Sequence, residues 1–486
     1  MGTLIDALRT EDTKTANGMT SNSTSLNSCV DMFFNIGAMR GKAKVEDVLD
    51  LFVKAYAEDK LTALKLAFWA RNPRGGAGER QIFRDIANHL VKGRNKKSIK
   101  LNLALIPELG RWDDLLVFIG TSLENDVLAL IKAGLADEST RSLTAKWLPR
   151  PTGKNAEKRA IANTVRKYLG MNPKAYRKLL VEYSNTVEQV MCSKDWSSID
   201  YSKIPSKAMS DYMSAFKRND ESRFNMFLEA LENGETKINA SAIYPYDVIK
   251  NLKQGNARGA DAQWNSLPNY MEGNAETVLP IVDTSYSMNC PAGDNPSLEC
   301  MDVAISLGMY ISERNEGPFK DAFFNFDSSP TLNVLKGTLS ERYNQVSKVA
   351  WGGSTNLEMT FDVLLAKAKS QKVSAEDMPS VIMILSDMQF NEAVNGRYRS
   401  EGTWNPTAQA MLESQYAAAG YKMPKIVYWN LNAQGDVPVA FDKTGTALVS
   451  GFSPALLASI LSGGEMTPMS MMMEIINSGP YDNVKV

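Results

Sequence analysis

A helical domain followed by an α/β domain, a multidomain α + α/β chain, is the fold class this sequence of 486 residues predicts. Three observations predict it. From about residue 26 to about 255, apolar residues recur at three- and four-residue spacing, the mark of amphipathic helices. After residue 274, short apolar runs alternate with helical stretches, as in βαβ units with a mostly parallel sheet. Between them "QGNARGADAQWNSLPNYMEGN", residues 254–274, is rich in Gly, Asn and small residues and marks a boundary. The expected domains are therefore 1–272 and 273–486.

The front half reads "VEDVLDLFVKAYAED", "KLTALKLAFWARN", "ERQIFRDIANHLVKG", "LENDVLALIKAGLADES", "RAIANTVRKYLG", "PKAYRKLLVEYSNTVEQVMC" and "ESRFNMFLEALENG", separated by short Gly, Pro or Asn punctuation. Such a train of helical hairpins predicts an all-α helical-repeat domain, HEAT-like at roughly 40 residues per pair. "NPRGGAGER" lacks the Gly-x4-Gly-Lys-Ser/Thr spacing of a phosphate loop and joins two helices, so it reads as an interhelical turn. Its Arg71, Arg74 and Arg80 are candidates to line a basic wall.

In the back half, "TVLPIVD", "AFFNFD", "SVIMILSD", "KIVYWNLN" and "ALVSGF" read as strands. Between and after them lie the helices "SLECMDVAISLGMYISE", "NLEMTFDVLLAKAKS", "TAQAMLESQYAAAGY", "SPALLASILSG" and "MSMMMEIINS".

Composition removes several function classes. No run approaches the roughly 18 uninterrupted apolar residues of a membrane span. The first residues carry no basic segment followed by an apolar run, so no export signal is expected and a cytoplasmic protein is. The four cysteines (Cys29, Cys192, Cys290, Cys300) show no paired spacing, so neither a zinc site nor a disulfide framework is expected. A single histidine, His89, on an amphipathic helix, argues against His-ligated zinc and intrachain Ser-His-Asp chemistry. Lys and Arg outnumber Asp and Glu by 40 to 32 up to Glu272, and are outnumbered by 14 to 23 beyond it. A basic front and an acidic back suggest different partners.

In "IVDTSYSMNC", residues 281–290, an apolar run ends at a carboxylate and then offers two hydroxyls one residue apart. Ligands collect at the carboxyl ends of strands in an open parallel sheet. Asp283 ends the first strand, Asp387 ends "VIMILSD", and Thr355 opens a helix in "WGGSTNLEMTF". With Ser285 and Ser287 they form an oxygen-only donor set, suited to Mg²⁺ or Mn²⁺ with some positions left to water. Hydroxyls add no charge, so the ion keeps positive character for a partner's carboxylate or phosphate. A haloacid-type phosphatase would need a second Asp two residues after the first, where Ser285 stands.

"DTSYS" with the later "GGST" and "SD" resembles the metal-ion-dependent adhesion site (MIDAS) of von Willebrand factor type A domains. The resemblance implies a Rossmann-like type A domain and Asp283, Ser285, Ser287, Thr355 and Asp387 as the cation ligands. Its Gly-Gly-x-Thr pattern favours Thr355 over Ser354. A helical-repeat half ahead of such a domain is similar to the Ro ribonucleoprotein family and its TROVE module. "SNSTSLNSCVDMFFNIGAMRG", "FWARNPRGGAGERQIF", "GRWDDLL" and "LVSGFSP" look closest to an uncharacterised Ro-like branch. That resemblance implies a ring of repeats closed by the type A domain, and binding of structured or misfolded RNA.

The sequence supplies its own candidate RNA patch. Lys146, Arg150, Lys154, Lys158, Arg159, Arg166, Lys167, Lys174, Arg177 and Lys178 face the lone acid Glu157, with Trp147, Tyr168 and Tyr176 interleaved. Cations neutralise phosphate and aromatics stack on unpaired bases. "KGRNKKSIK" is a second, shorter basic run. The expectation is a non-enzymatic, Ro-like RNA-binding scaffold, in RNA quality control or ribonucleoprotein assembly, whose Mg²⁺ site takes an acidic protein ligand. The alternative is a metal-dependent protein-assembly component without RNA binding. A Mg²⁺-dependent phosphotransferase or nuclease ranks third, because no Lys, Arg or His is placed by sequence beside the carboxylates.

Overall fold

The computed structural model describes residues 12–39, 44–184, 186–240, 242–292, 299–326, 330–349, 353, 355–392, 407–432, 435–462 and 466–486. Residues 1–11, part of the stretch read above for an export signal, and Ser354 lie outside this set. The described residues form two compact units: Val45–Ala242 with Ser478–Val486, and Ile243–Asn477 with the described part of Met1–Lys44. Among them no helix is long and apolar enough to cross a membrane.

The first unit is helical. Val45–Glu58, Lys60–Arg71, Arg80–Lys92, Glu124–Ala136, Ala156–Tyr168, Pro173–Ser184, Ser206–Asn219 and Glu221–Glu232 are among its helices. Local chemistry sets their ends. Asp59 caps the second by accepting from the Leu61 and Thr62 N–H groups at 2.9 and 3.1 Å, and Asn155 caps the Ala156–Tyr168 helix through Lys158 N–H at 2.9 Å. "NPRGGAGER" is the interhelical turn its sequence predicts. Gly76 is required there, because a Cβ would lie 1.9 Å from the Trp69 carbonyl oxygen.

Arg71 does not line a basic wall. It is buried, and its Nε donates to Asp114 Oδ2 at 2.6 Å while Arg84 takes the other oxygen at 2.8 Å. A buried cation needs a buried anion, and "GRWDDLL" supplies it. His89 sits edge-on to the Phe52 ring at 6.4 Å, a packing role. The last residues of the chain belong to this unit: Lys485 N–H donates to Asn102 Oδ1 at 2.9 Å, and Asn72 Nδ2 to the Tyr481 hydroxyl at 3.0 Å.

The second unit carries a six-stranded sheet: β1 (Val278–Asp283), β2 (Ala322–Phe326), β3 (Thr331–Val334), β4 (Val381–Ser386), β5 (Lys425–Asn430) and β6 (Thr446–Ser450), in the order β3-β2-β1-β4-β5-β6. All neighbours run parallel except β3, an antiparallel edge on β2. β3 escaped the sequence reading because "TLNV" is short and mostly exposed. β1 and β4 are buried at every position, which is why they read as unbroken apolar runs. From β1 the chain goes to β2 on one side and later to β4 on the other, so a topological switch point opens between β1 and β4.

The contacts divide the chain differently from the expected cut at 272/273. The helices Pro245–Lys253 and Ala257–Asn265 belong to the α/β unit, and the second occupies the stretch read as the boundary. Trp264 makes it more than a linker: the ring is buried and its Nε1 donates to Glu313 at 2.8 Å.

Residues 12–39 also belong here rather than with the helical half. The Ser28–Ile36 helix buries Cys29, Val30, Met32, Phe33, Phe34 and Ile36, too much apolar surface for a helix with one wet face. It lies against β6. Ser450 Oγ donates to Phe33 O at 2.6 Å and accepts from Gly37 N–H at 3.1 Å, while Asn430 Nδ2 donates to Phe34 O at 3.1 Å.

The Cys300–Arg314 helix closes one face of the sheet beside β1. At Gly308 a Cβ would lie 2.5 Å from Val282 Cγ2, so the helix reaches the strand only where a side chain is missing. Gly308→Ala should therefore destabilise the α/β unit by about 1–3 kcal/mol through overpacking, read as a lower denaturation midpoint with unchanged far-ultraviolet circular dichroism.

Candidate functional site

Register places the central acids. Val282 pairs with Leu385 across β1 and β4, so Asp283 comes beside Ser386, and Asp387 is the first residue beyond β4. Ser386 Oγ donates to Asp283 Oδ2, and the Ser285 N–H donates to Asp283 Oδ1 at 2.9 Å. Ser285 and Ser287 lie with their hydroxyls 3.0 Å apart, and the Ser287 hydroxyl bonds to Asp387.

Thr355 joins through the backbone. Tyr286 N–H donates to Gly353 O at 3.2 Å, tying its loop to the one after β1, and Asn391 N–H donates to Thr355 O at 2.9 Å, tying it to the loop after β4. The three loops that carry Asp283, Ser285, Ser287, Thr355 and Asp387 are thus laced together at the switch point. Asp283, Ser285, Thr355 and Asp387 are all buried.

The turn after β4 holds strain. Met388 is buried with φ +64°, a left-handed conformation that a non-glycine residue rarely takes. Asp387 Oδ1 accepts from Gln389 N–H at 3.2 Å and Ser386 Oγ from Met388 N–H at 3.0 Å, so the two side chains that face the site also hold the turn.

The electrostatics are unbalanced. Burial first, and then the Asp387 charge, push Asp283 well above the usual carboxylate range. Burial pushes Asp387 up too, against the bonds from Gln389 N–H and Ser287. Half-buried Asp436 is likewise raised by burial, and accepts from Gln389 Nε2 at 2.7 Å. Among the described residues no Lys, Arg or His forms an ion pair with any of the three. Nor is there, among them, a group of three or more His, Cys, Asp or Glu side chains arranged for a metal. A cation at this place would rest on two carboxylates and hydroxyls. That oxygen-only set, with uncompensated charge and hydroxyls already turned to the acids, fits a small divalent ion.

Sequence reasoning missed the far side of the site. Residues 13–22 form a short antiparallel pairing, Thr13–Lys14 with Thr20–Ser21, that reaches the loop after β4. Thr15 Oγ1 donates to Phe390 O at 2.6 Å, Ala16 N–H to Gln389 Oε1 at 2.6 Å, and Glu392 N–H to Asn17 O at 3.0 Å. Asn17 Nδ2 donates to Gln389 O at 2.5 Å and lies 3.5 Å from Thr355 Oγ1. Asn17, Gln389, Ser386 and Asp436 surround the expected ligands. The sequence shows no signal for Asn17, which stands 338 residues before Thr355.

In the helical unit the basic segment divides. Lys154, Lys158, Lys167, Lys174, Arg177 and Lys178 are exposed. Among the described residues, none of the six has an acidic partner. The other four are engaged or partly covered. Lys146 pairs with Glu188 at 3.4 Å. Arg159 donates to the Gly153 and Lys154 carbonyls at 2.9 and 2.7 Å. Arg166 holds Asn163 at 2.7 Å and Met171 O at 3.2 Å. Arg150 is half-buried.

The aromatics divide as well. Tyr176 is core, and Trp147 is half-buried with the Arg111 guanidinium 3.7 Å from its ring centre, so neither is free to stack on a base. Tyr168 remains exposed. In the shorter basic run, Lys100 pairs with Asp126 at 3.0 Å.

Comparison with known proteins gives two family models and one relative. Residues 277–479 match a domain of unknown function (DUF7788), and residues 15–109 and 152–276 match another (DUF2828). Their junction at 276/277 lies close to the expected boundary, although the contacts place the division elsewhere. The chain is similar to "Uncharacterized protein L728" of Acanthamoeba polyphaga mimivirus, 28% identical over 518 aligned positions that cover 96% of this chain and 87% of the relative.

The raised carboxylates give a sign to pH dependence. A carboxyl whose value in the fold lies above its unfolded value adds stability in acid and loses it as pH rises through the raised value. Without added metal and with a chelator present, stability should therefore fall between about pH 4 and neutrality. Asp283→Asn should flatten that fall and raise stability at pH 8 by about 1 kcal/mol or more, one pKa unit being about 1.4 kcal/mol. Thermal melts across pH check both.

Proposed function

We propose that the α/β unit is a von Willebrand factor type A-like domain. It holds a Mg²⁺ or Mn²⁺ ion at Asp283, Ser285, Ser287, Thr355 and Asp387 and uses it to recognise an acidic group of a partner. The observation that carries this reading is the buried Asp283–Asp387 pair, raised by burial and without a basic partner among the described residues. Natural folds seldom keep such a pair unless something else supplies the missing charge. The sheet order with its single antiparallel edge, and the convergence of three loops at the switch point, support the same reading.

Asp283 and Asp387 would supply the negative charge, and Ser285, Ser287 and Thr355 neutral oxygens. When bound, the ion supplies a positive centre to which a carboxylate or phosphate oxygen can coordinate. The chain's own residues do the rest. Ser386 and the Ser285 N–H fix the orientation of Asp283, Gln389 braces the turn that presents Asp387, and Asn17 closes over Thr355. Recognition without turnover is the reading here, as no acid or base beyond the carboxylates stands among them.

Millimolar Mn²⁺ or Mg²⁺ should raise the melting temperature, by the equivalent of about 2.7 kcal/mol when the ion is at a hundred times its dissociation constant. Asp387→Ala should abolish the rise. Isothermal titration that finds no Mn²⁺ binding to the folded wild-type chain would sink this assignment.

A second reading concerns the helical unit, taken as HEAT-like repeats of the Ro-like kind that bind structured RNA. Its support is the six exposed cations between Lys154 and Lys178 that lack an acidic partner among the described residues. About five phosphate contacts to a duplex predict a log–log salt slope near −4.5. The triple change Lys158→Glu, Lys167→Glu and Lys174→Glu should weaken binding to a structured RNA at least tenfold. The slope should become shallower, and chelator should have no effect. Arg159 and Arg166 are left alone, since their bonds to loop carbonyls would make their loss a folding defect. Equal RNA affinity of variant and wild type in a filter-binding titration would leave the metal-dependent assembly component as the reading of the whole chain.

A further inference from the structure

Cys290 and Cys300 show no recognisable spacing in the sequence, yet their Sγ atoms lie 3.3 Å apart. The backbone brings them there. Pro291 and Glu299 form an antiparallel bridge, which makes Cys290 and Cys300 the next directly opposed pair, and the Cys300 N–H donates to Cys290 O at 3.0 Å. Opposed residues in such a pairing have Cα atoms about 5.5 Å apart or less, inside the range a disulfide spans. Both sulfurs are also held by polar groups that follow β5. Asn432 Nδ2 lies 3.4 Å from Cys290 Sγ, and Leu431 O accepts from Cys300 Sγ at 3.6 Å. Their exposures differ: Cys300 is buried, whereas Cys290 is half-exposed.

We propose that Cys290 and Cys300 are a modification site, a dithiol that a peroxide converts to an intramolecular disulfide. The half-exposed sulfur meets the oxidant. Cys290 gives up its proton and attacks one peroxide oxygen as thiolate, the O–O bond breaks, and the hydroxide that leaves takes up that proton, so the products are a Cys290 sulfenic acid and water. The Cys300 sulfur then attacks the Cys290 sulfur. The S–O bond breaks and hydroxide leaves, taking up the Cys300 proton as a second water. Two thiols and one hydrogen peroxide give one disulfide and two waters, and a dithiol reductant reverses the change. The sulfurs need to close from 3.3 Å to about 2.05 Å, a rotation of side chains rather than a rebuilding of the loop. The bond would tie off the chain just past the Tyr286–Asn289 turn that carries Ser287, in a site whose assignment as a cation centre the proposal does not need.

The test uses the full chain, fully reduced and then given a few equivalents of hydrogen peroxide. Remaining thiols are alkylated, and the unreduced protein is digested and read by mass spectrometry. Expected is a Cys290–Cys300 linked peptide as the dominant disulfide, formed within monomers and lost on treatment with dithiothreitol. Chain unfolded in urea should form the same link more slowly, because the ten-residue loop closes most readily even without a fold but the two sulfurs are no longer held together. In Cys300→Ser, Cys290 should be trapped by dimedone as the sulfenic acid. The proposal is overturned if the folded chain forms the link no faster than the urea-unfolded chain does at the same peroxide concentration. It is overturned equally if Cys290 goes on to sulfinic acid while Cys300 stays a free thiol, or if dimedone finds no Cys290 adduct in the variant.

Discussion

Asp283 and Asp387 are carboxyl groups at the ends of adjacent parallel strands, shut away from water and from any basic side chain among the described residues. Coulomb repulsion and lost hydration both act against them, and much of the surrounding structure answers that problem. Ser386 and Ser287 turn hydroxyls toward the acids, backbone N–H groups point at them, and Met388 accepts a left-handed backbone so that the turn can present Asp387. Residues 13–22 clamp the outside of that turn. None of this supplies a positive charge to balance the ionised forms. Under the function proposed above, the arrangement is a cradle that gives up stability to keep a place for a cation.

The sheet topology makes such a cradle possible at low cost in sequence. Only a few positions at strand ends have to be polar, while β1 and β4 remain apolar throughout and Gly308 lets a helix lie directly on β1. Separating rigid scaffold from polar rim leaves the rim free to carry chemistry.

How far the sequence could be read follows from the range of the interactions involved. The five principal strands and the Cys300–Arg314, Leu357–Ser370 and Ala408–Ala419 helices between them were legible because their periodicity is local and strong, whereas the short Leu339–Val346 helix was not read. Asp283, Ser285, Ser287, Thr355 and Asp387 were legible because each sits at a strand end or helix start that local pattern locates. Asn17 was not legible: its role depends on a partner hundreds of residues away, and an exposed asparagine in a polar stretch carries no periodic signal. The Ser28–Ile36 helix falls inside the stretch read as helical and was counted with the front half, whereas its contacts lie on β6, since periodicity says what an element is and not what covers it. The Cys290–Cys300 approach was missed for a related reason, because a one-bridge ladder leaves no alternation to detect. In the basic segment, charge counting found the patch, but could not separate Arg159 and Arg166, which fasten loops, from the lysines that face solvent.

The crossing of the chain ends has a consequence for biogenesis. The Ser28–Ile36 helix is made early, but Ser450, which receives it, follows Gly37 by 413 residues. At synthesis rates of roughly 5–20 residues per second, the wait is roughly 20–80 s. For that interval a segment with Phe33, Phe34 and Ile36 lacks the sheet that covers it in the fold, while residues 45–242 of the helical unit are made behind it. A nascent chain built this way carries an uncovered apolar helix until most of the chain has been made.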